Sequence, residues 1–340
     1  MADIDAGPPI FRHTGRAHIR LGKGQKAVRD ALIGKLDQGI YRLEEVKCLC
    51  GMTEDVVISE TDRYGLPLKT VICTYCGLLR TNPRLDAGSL DGFYANEYRD
   101  LYMGADYGDM DSYFLDMAAR GREALDLIRK TAPWVDLKKA DVLEVGCSAG
   151  GVLFPFLEAG ARVKGFDHDR RYLDYGNKRE PALNLLPGGV ETLEKEDCKY
   201  DIILINHVME HLADPAGAAS AARKRLKPGG LCYVSVPGLK NPAYYNSPVK
   251  SFLGSLHIGH LWHFSRLTLR RLLKDFDMLY IDDEVRAVCA LSRAGRVEKD
   301  FPSEYASNME FIRDYENAFA WKLRRARNVI RNIRHLIKLV

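Results

Sequence analysis

The chain has 340 residues, 46% of them apolar, with 50 lysines and arginines against 46 aspartates and glutamates. This composition excludes a disordered or collagen-like chain and allows one large or two modest domains, while the formal +4 invites an acidic partner such as nucleic acid or an anionic membrane. No run approaches the roughly 18 apolar residues of a membrane-spanning helix, and the start MADIDAGPPIFRHTGR lacks a signal peptide's apolar core, so a cytoplasmic protein is expected.

Residues 11–29 carry Arg12, Arg16, Arg20, Lys23, Lys26 and Arg29 with no acid, and run into a helical pattern, AVRDALIGKLDQGIYRLEEV. This basic arm and helix (1–43) is expected to lie on another part of the protein. Next come Cys48, Cys50, Cys73 and Cys76, two knuckles 22 residues apart, each followed by glycine. They read as four thiolates for one tetrahedral, structural Zn²⁺, with no open position for water; four free thiols are the alternative, since the first knuckle is one residue short of C-x-x-C. This module is set at 44–92. Cys147, Cys198, Cys232 and Cys289 are scattered and read as isolated thiols.

A helical connector (93–137) contains Phe93, Tyr94, Tyr98, Tyr102, Tyr107 and Tyr113, then a helix to about Thr131. Packing explains most of these aromatics; Tyr98 and Tyr102, at i, i+4 spacing, are the expected substrate-stacking pair. From 138 to 295 β-branched runs alternate with helical patterns, as in an open α/β sheet. Strands are expected at Asp141–Gly146, Arg162–Asp167, near Leu183–Val190, Tyr200–Asn206, Leu231–Pro237, Met278–Glu284 and Ala287–Arg293, the last two pairing antiparallel at one edge.

In DVLEVGCSAGG a buried strand meets a turn holding Gly146, Ser148 and Gly150, and Asp167 ends the next strand, 21 positions after Gly146. Strand, turn, helix, strand and acid describe a nucleoside-cofactor site. Ser148 occupies the middle glycine of a nicotinamide fingerprint, and Glu144 would repel pyrophosphate but suits a ligand bearing ammonium and sulfonium, such as S-adenosylmethionine. A glycine turn without ligand is the alternative.

Glu144-Val-Gly146-Cys-Ser148-Ala-Gly150 resembles the E-x-G-x-G-x-G motif of class I S-adenosylmethionine-dependent methyltransferases, with Ser148 departing from glycine. YDIILINHVMEHLADP (200–215) resembles that family's fourth-strand motif, and Lys227-Pro228-Gly229-Gly230 its turn into the fifth strand. The resemblance implies a Rossmann-like seven-stranded sheet, with Gly146, Ser148 and Gly150 near the cofactor's methionine, Asp167 on its ribose, Val190 and Glu191 at its adenine, and Glu144 and Asn206 among the cofactor-binding residues. The cysteine segment with CGLLRTNPR (76–84), Phe93, Tyr94 and Tyr98 is similar to the N-terminal zinc-binding, zinc-ribbon-like module of bacterial sugar and polysaccharide-associated methyltransferases, which implies a sugar or glycan acceptor.

Methyl transfer to a sugar hydroxyl, or through an enolate, calls for a base. His207 and His211 flank Glu210 after the fourth strand; His257, His260 and His263 follow the fifth. His260, then His211, are the expected bases. Alternatively Glu210 and His211 hydrogen-bond a helix start, and His263 orients the turn at Ser265, a natural N-cap. A three-histidine metal site is disfavoured, because i, i+3, i+6 positions of a regular helix do not all face one ion.

The C-terminal extension (296–340) ends in WKLRRARNVIRNIRHLIKLV, with seven cations, no acid and an apolar stripe. It suits an anionic membrane surface, such as the membrane's inner face, or docking on its own domain or on a second copy, with a homo-oligomer as one of the expected partners. A zinc-module RNA methyltransferase is a rival reading, against which stands the absence of an N-P-P-Y or D-P-P-Y tetrapeptide; a non-catalytic cofactor-binding scaffold is another. Setting aside the thirteen cations of 11–29 and 321–340 leaves 37 cations against 46 acids, a net −9. Nucleic acid is therefore not expected as the partner.

Overall fold

The computed structural model describes residues 8–104, 109–241, 251–291 and 301–320. Tyr107 and the basic 321–340 segment lie outside the described residues. Among the described residues no helix is long and apolar enough to cross a membrane.

Helix α1 (Lys23–Asp37) buries Leu32 and is followed by Gly39 at φ 67°, so the helical pattern expected to run through Val46 instead gives way to a short strand, β1 (Leu43–Glu44). Strands β2 (Asp55–Ser59), β3 (Thr70–Cys73) and β4 (Leu79–Thr81) form antiparallel pairs, and β5 (Arg84–Leu85) pairs with β1. The basic leader lies on this part of the molecule: Phe11 bridges to Ser59, and Leu21 is buried. Helices α2 (Ala87–Asn96), α3 (Tyr98–Met103) and α4 (Met110–Thr131) follow, α4 ending at the expected residue.

The remaining chain alternates β6 (Asp141–Val145), α5 (Phe154–Glu158), β7 (Arg162–Asp167), α6 (Arg170–Arg179), β8 (Leu185–Pro187), α7 (Val190–Lys195), β9 (Tyr200–Asn206), α8 (Pro215–Arg225) and β10 (Leu226–Ser235). Then come β11 (Trp262–His263), α9 (Arg266–Leu272), β12 (Phe276–Ile281), β13 (Arg286–Leu291) and a helix, α10, over 305–320. Seven strands make one sheet in the order β12-β13-β10-β9-β6-β7-β8, with β13 antiparallel to both neighbours. The Rossmann-like seven-stranded sheet is as expected, and the last two strands do pair antiparallel at one edge.

Three boundaries differ. β8 is only three residues, because Gly188 and Gly189 end it and Val190 opens α7 instead of closing a strand. β10 begins at Leu226, before the Lys227-Pro-Gly-Gly turn, since Leu226 already pairs with Tyr200; the turn is a bulge within the strand. β12 lies two to three residues earlier than its pattern suggests. Lys227 pins the bulge, its Nζ standing 2.6 Å from Asp141 Oδ2 and 2.7 Å from Asp201 Oδ2 at the starts of β6 and β9.

The sheet has two buried faces. Val142, Ile202, Leu204 and Tyr233 pack with α4–α6, whereas Leu143, Val145, Ile203 and Val234 belong to the same core as Cys73, Tyr64 and Trp262 of the smaller sheet. That second core is continuous because β11, from the long connection after β10, pairs with β4. On the first face, Gly121 of α4 lets the helix touch the main chain, since a Cβ there would lie 2.4 Å from Val152 O. We predict that Gly121→Ala destabilises the protein by about 1–3 kcal/mol in denaturant unfolding, despite alanine's better helix propensity.

Candidate cofactor and acceptor site

Residues 146–150 turn over the carboxyl end of β6. Gly146 has φ 76°, and a Cβ on it would lie 2.3 Å from Val208 Cγ2, so a side chain there collides with the loop after β9. Ser148 adopts φ 49°, a left-handed conformation costly for serine. Two contacts hold it: its amide donates to Asp167 Oδ2 at 2.8 Å, and the Tyr113 hydroxyl donates to its Oγ at 3.2 Å. The Asp169 amide donates to Asp167 Oδ1 at 2.8 Å, so both carboxylate oxygens are oriented and each keeps a lone pair for a further donor.

Glu144 is buried, and its Oε2 has no hydrogen-bond partner. Burial and then the Asp167 charge push its carboxyl well above the usual range. An orphaned acceptor beside an oriented aspartate fits a ligand carrying ribose hydroxyls and an ammonium group. Val190 and Glu191 sit at the start of α7 beyond β8, with Glu191 Oε1 3.5 Å from His168 Nε2. Asn206 ends β9, and together with His207, Tyr233, Ser235 and Arg286 it lines a cavity of ≈ 140 Å³.

The histidines converge although they come from two connections. His257, His260 and His263 are not on a helix but on a turn leading into β11, which removes the geometric objection to their meeting. The His260 ring centre lies 3.8 Å from His257, 4.9 Å from His211 and 5.8 Å from His263. His211 Nδ1 stands 2.7 Å from the Gly259 carbonyl, which requires that nitrogen to carry the proton. Its Nε2 therefore faces Glu210 Oε1, at 3.8 Å, and His207 Nδ1 approaches the same oxygen at 3.4 Å. Glu210 is 1% exposed, and neither of its oxygens has a hydrogen bond. It does not cap a helix start, so that alternative is set aside.

Tyr94 completes the arrangement, its hydroxyl lying 3.0 Å from the Gly259 carbonyl and 2.9 Å from His211 Nδ1. Burial, then Tyr98 and Glu210, hold that hydroxyl protonated. Tyr98 and Tyr102 stack at 5.7 Å, with Tyr98 also 5.9 Å from the His211 ring and Tyr102 exposed. Ser265 caps α9 as expected, accepting from the Thr268 amide.

The four cysteines also meet. Cys48 and Cys76 Sγ are 3.4 Å apart, Cys50 and Cys73 Sγ 3.6 Å, and all four lie within 4.8 Å of one another. A tetrahedron with metal–sulfur bonds of about 2.3 Å has edges of about 3.8 Å, so the thiols fit one zinc ion despite the short first knuckle. The other four cysteines are unpaired thiols.

A family profile described as "Methyltransferase domain" matches residues 117–280. A Ralstonia nicotianae protein named ubiquinone biosynthesis O-methyltransferase is 30% identical over 174 residues, 48% of this chain and 67% of that one. The chain belongs to the S-adenosylmethionine-dependent methyltransferases. A Mycolicibacterium smegmatis relative named for S-adenosylmethionine-dependent methyltransferase activity is 33% identical over 97 residues, and this chain spans only 38% of its length. Magnesium protoporphyrin IX methyltransferase from Synechocystis, solved with bound S-adenosylhomocysteine, is 14% identical, with TM-score 0.41, covering 61% of this chain and all of that one.

Within this methyltransferase, Glu144, Gly146, Ser148, Gly150 and Asp167 gather at one turn, and His207, Glu210, His211, His260 and His263 at the seam between the two sheets. Sequence reasoning missed the Tyr94 hydroxyl as the group orienting His211, and it missed Arg63 and Tyr64, which stand in a loop without periodic signal. His257, His260 and His263 all have pKa values lowered by burial, His263 to about 4. As pH falls below 6.5 the unfolded chain binds protons that the folded histidines refuse, so their contribution to stability is lost toward acid. Glu144 and Asp62, raised by burial, act in the opposite sense, so a variant isolates the effect. The fall in unfolding free energy between pH 7.5 and pH 5 should be smaller in His263→Gln than in the natural protein by about 2 kcal/mol.

Proposed function

We propose that this methyltransferase methylates a sugar or glycan-containing acceptor, at oxygen, in the seam between the seven-stranded sheet and the cysteine-bearing sheet. The observation that carries the reading is the buried Glu210–His211 pair, one chain turn from Asn206 at the cofactor edge and faced by His260 and the Tyr98–Tyr102 stack. The exposed Tyr102 ring, stacked on half-buried Tyr98, suits the apolar face of a sugar, and the relatives named as O-methyltransferases support transfer to oxygen.

S-adenosylmethionine supplies a methyl carbon already activated by its sulfonium, so alignment with the acceptor accounts for much of the rate. Glu144, the 146–150 turn and Asp167 would hold it. His211 Nε2 accepts the acceptor's hydroxyl proton, and Glu210, whose Oε1 faces both His207 and His211, stabilises the imidazolium that forms. Gly259 and Tyr94 fix the tautomer. These contacts favour His211 over His260 as base; His260 packs beside it and keeps water from the seam. Because burial lowers the His211 pKa, the base stays neutral below the ordinary histidine range.

Two outcomes test this. With radiolabelled S-adenosylmethionine, label should enter a glycan fraction and not RNA, and His211→Ala should lower turnover about 10²–10⁴-fold with S-adenosylhomocysteine affinity unchanged. Label in RNA, or unchanged turnover in the variant, overturns the reading or the base respectively. The cysteine site is proposed to hold a structural zinc. Metal analysis should find one zinc per chain, and Cys73→Ser should lose it together with several degrees of thermal stability.

A further inference from the structure

The loop between β2 and β3 is organised by Asp62. Its Oδ1 accepts the amides of Tyr64 and Leu66, each at 2.9 Å, and its Oδ2 accepts the Ile258 amide at 3.1 Å, tying the loop to the histidine turn. With both Asp62 oxygens turned to amides, the neighbouring Arg63 is left without a carboxylate partner; among the described residues none lies within 4.0 Å. Its Nη2 donates to the Tyr64 hydroxyl at 2.7 Å, its Nη1 reaches the Gly254 carbonyl only at 3.4 Å, and its Nε is buried with no partner. The residue is 7% exposed. A guanidinium keeps its charge in any protein environment, and the Asp62 charge that favours this desolvated cation stands beyond ion-pair distance.

Arg63 also borders the acceptor seam. Its guanidinium carbon lies 4.8 Å from the Tyr64 ring centre and 5.3 Å from that of Tyr102. Tyr102 is 5.8 Å from His257, which stacks on His260. One end of the seam thus carries a buried carboxylate faced only by histidines, Glu210, beside the proposed base, and the other a buried guanidinium without an ion-paired carboxylate, behind an exposed aromatic ring. A neutral sugar would leave that guanidinium uncompensated. An oxyanion would accept from the unpartnered Nε–H, a bond strengthened by the guanidinium charge.

We infer that Arg63 is a specificity-determining residue for an oxyanion, phosphate or carboxylate, carried by the acceptor, so that this methyltransferase acts on an acidic sugar. This rests on the acceptor seam proposed above. Full-length protein saturated with S-adenosylhomocysteine is titrated with glucose 1-phosphate, glucuronate and glucose, which separates the phosphate source from the carboxylate source and both from the neutral ring. At least one anionic probe should bind saturably and more tightly than glucose. Arg63→Gln should weaken that binding about tenfold or more, with S-adenosylhomocysteine affinity within about twofold.

Arg63→Met provides a second readout, because removing an unneutralised buried charge while keeping the packing should leave the thermal midpoint equal to or above that of the natural protein. Failure of both anionic probes to bind, unchanged affinity in Arg63→Gln, or loss of folding in Arg63→Met would each overturn the inference. Anion binding on Arg63 without methyl transfer to any sugar would leave Arg63 as the oxyanion-recognising residue and overturn the sugar reading together with the acidic sugar that depends on it.

Discussion

Residues 260–263 are hydrogen-bonded on two sides at once, and the acceptor seam depends on that double attachment. On one side Trp262 and His263 pair with Arg80 and Leu79 of β4, the Thr81 amide donates to the Leu261 carbonyl, and the Thr81 hydroxyl donates to that of His260. On the other, the Leu261 amide donates to the Glu210 carbonyl and the Trp262 indole to the Leu212 carbonyl. The segment is thereby an edge strand of the small sheet and a neighbour of the loop after β9 in the large one. His260 and His263 are carried to Glu210 by main-chain bonds, which hold position better than side-chain contacts.

At the cofactor turn and at this seam several polar atoms are buried without a hydrogen-bond partner. Glu144, Glu210, His257, His263 and Arg63 each carry buried polar atoms without a partner. Unpartnered groups cost stability, and the extended apolar core on both sheet faces offsets them. Elsewhere the molecule pairs its buried charge: Arg80 is bound bidentately by Asp55, and Lys35 and Tyr41 share Glu97.

The basic leader shows how a formal charge misleads when it is not located. Its cations lie on a segment whose apolar residues, Phe11 and Leu21, are seated against the cysteine-bearing sheet. The His13 amide is held by Glu60, and the His18 amide by the Arg63 carbonyl. The N-terminal arm is thus part of the wall on which the Arg63 loop rests, and not a free basic tail.

The glycine turn, Asp167 and the strand positions of the large sheet were legible in the sequence because they are local: a β-branched run, a left-handed turn and an acid at a fixed distance are each decided by neighbours in the chain. The cysteine quartet was legible for the same reason, two short knuckles being self-contained. What sequence could not decide was long-range. The histidines at 257, 260 and 263 look like a helical series, yet β4, some 180 positions earlier, pulls them into an extended turn and strand. Arg63 has no pattern at all, and it lacks an ion-paired carboxylate because Asp62 turns its oxygens to amides of its own loop and of the distant histidine turn. Local composition sets which elements form and which cofactor they can hold; the hydrogen bonds that join the two sheets decide which charges are left to meet an acceptor.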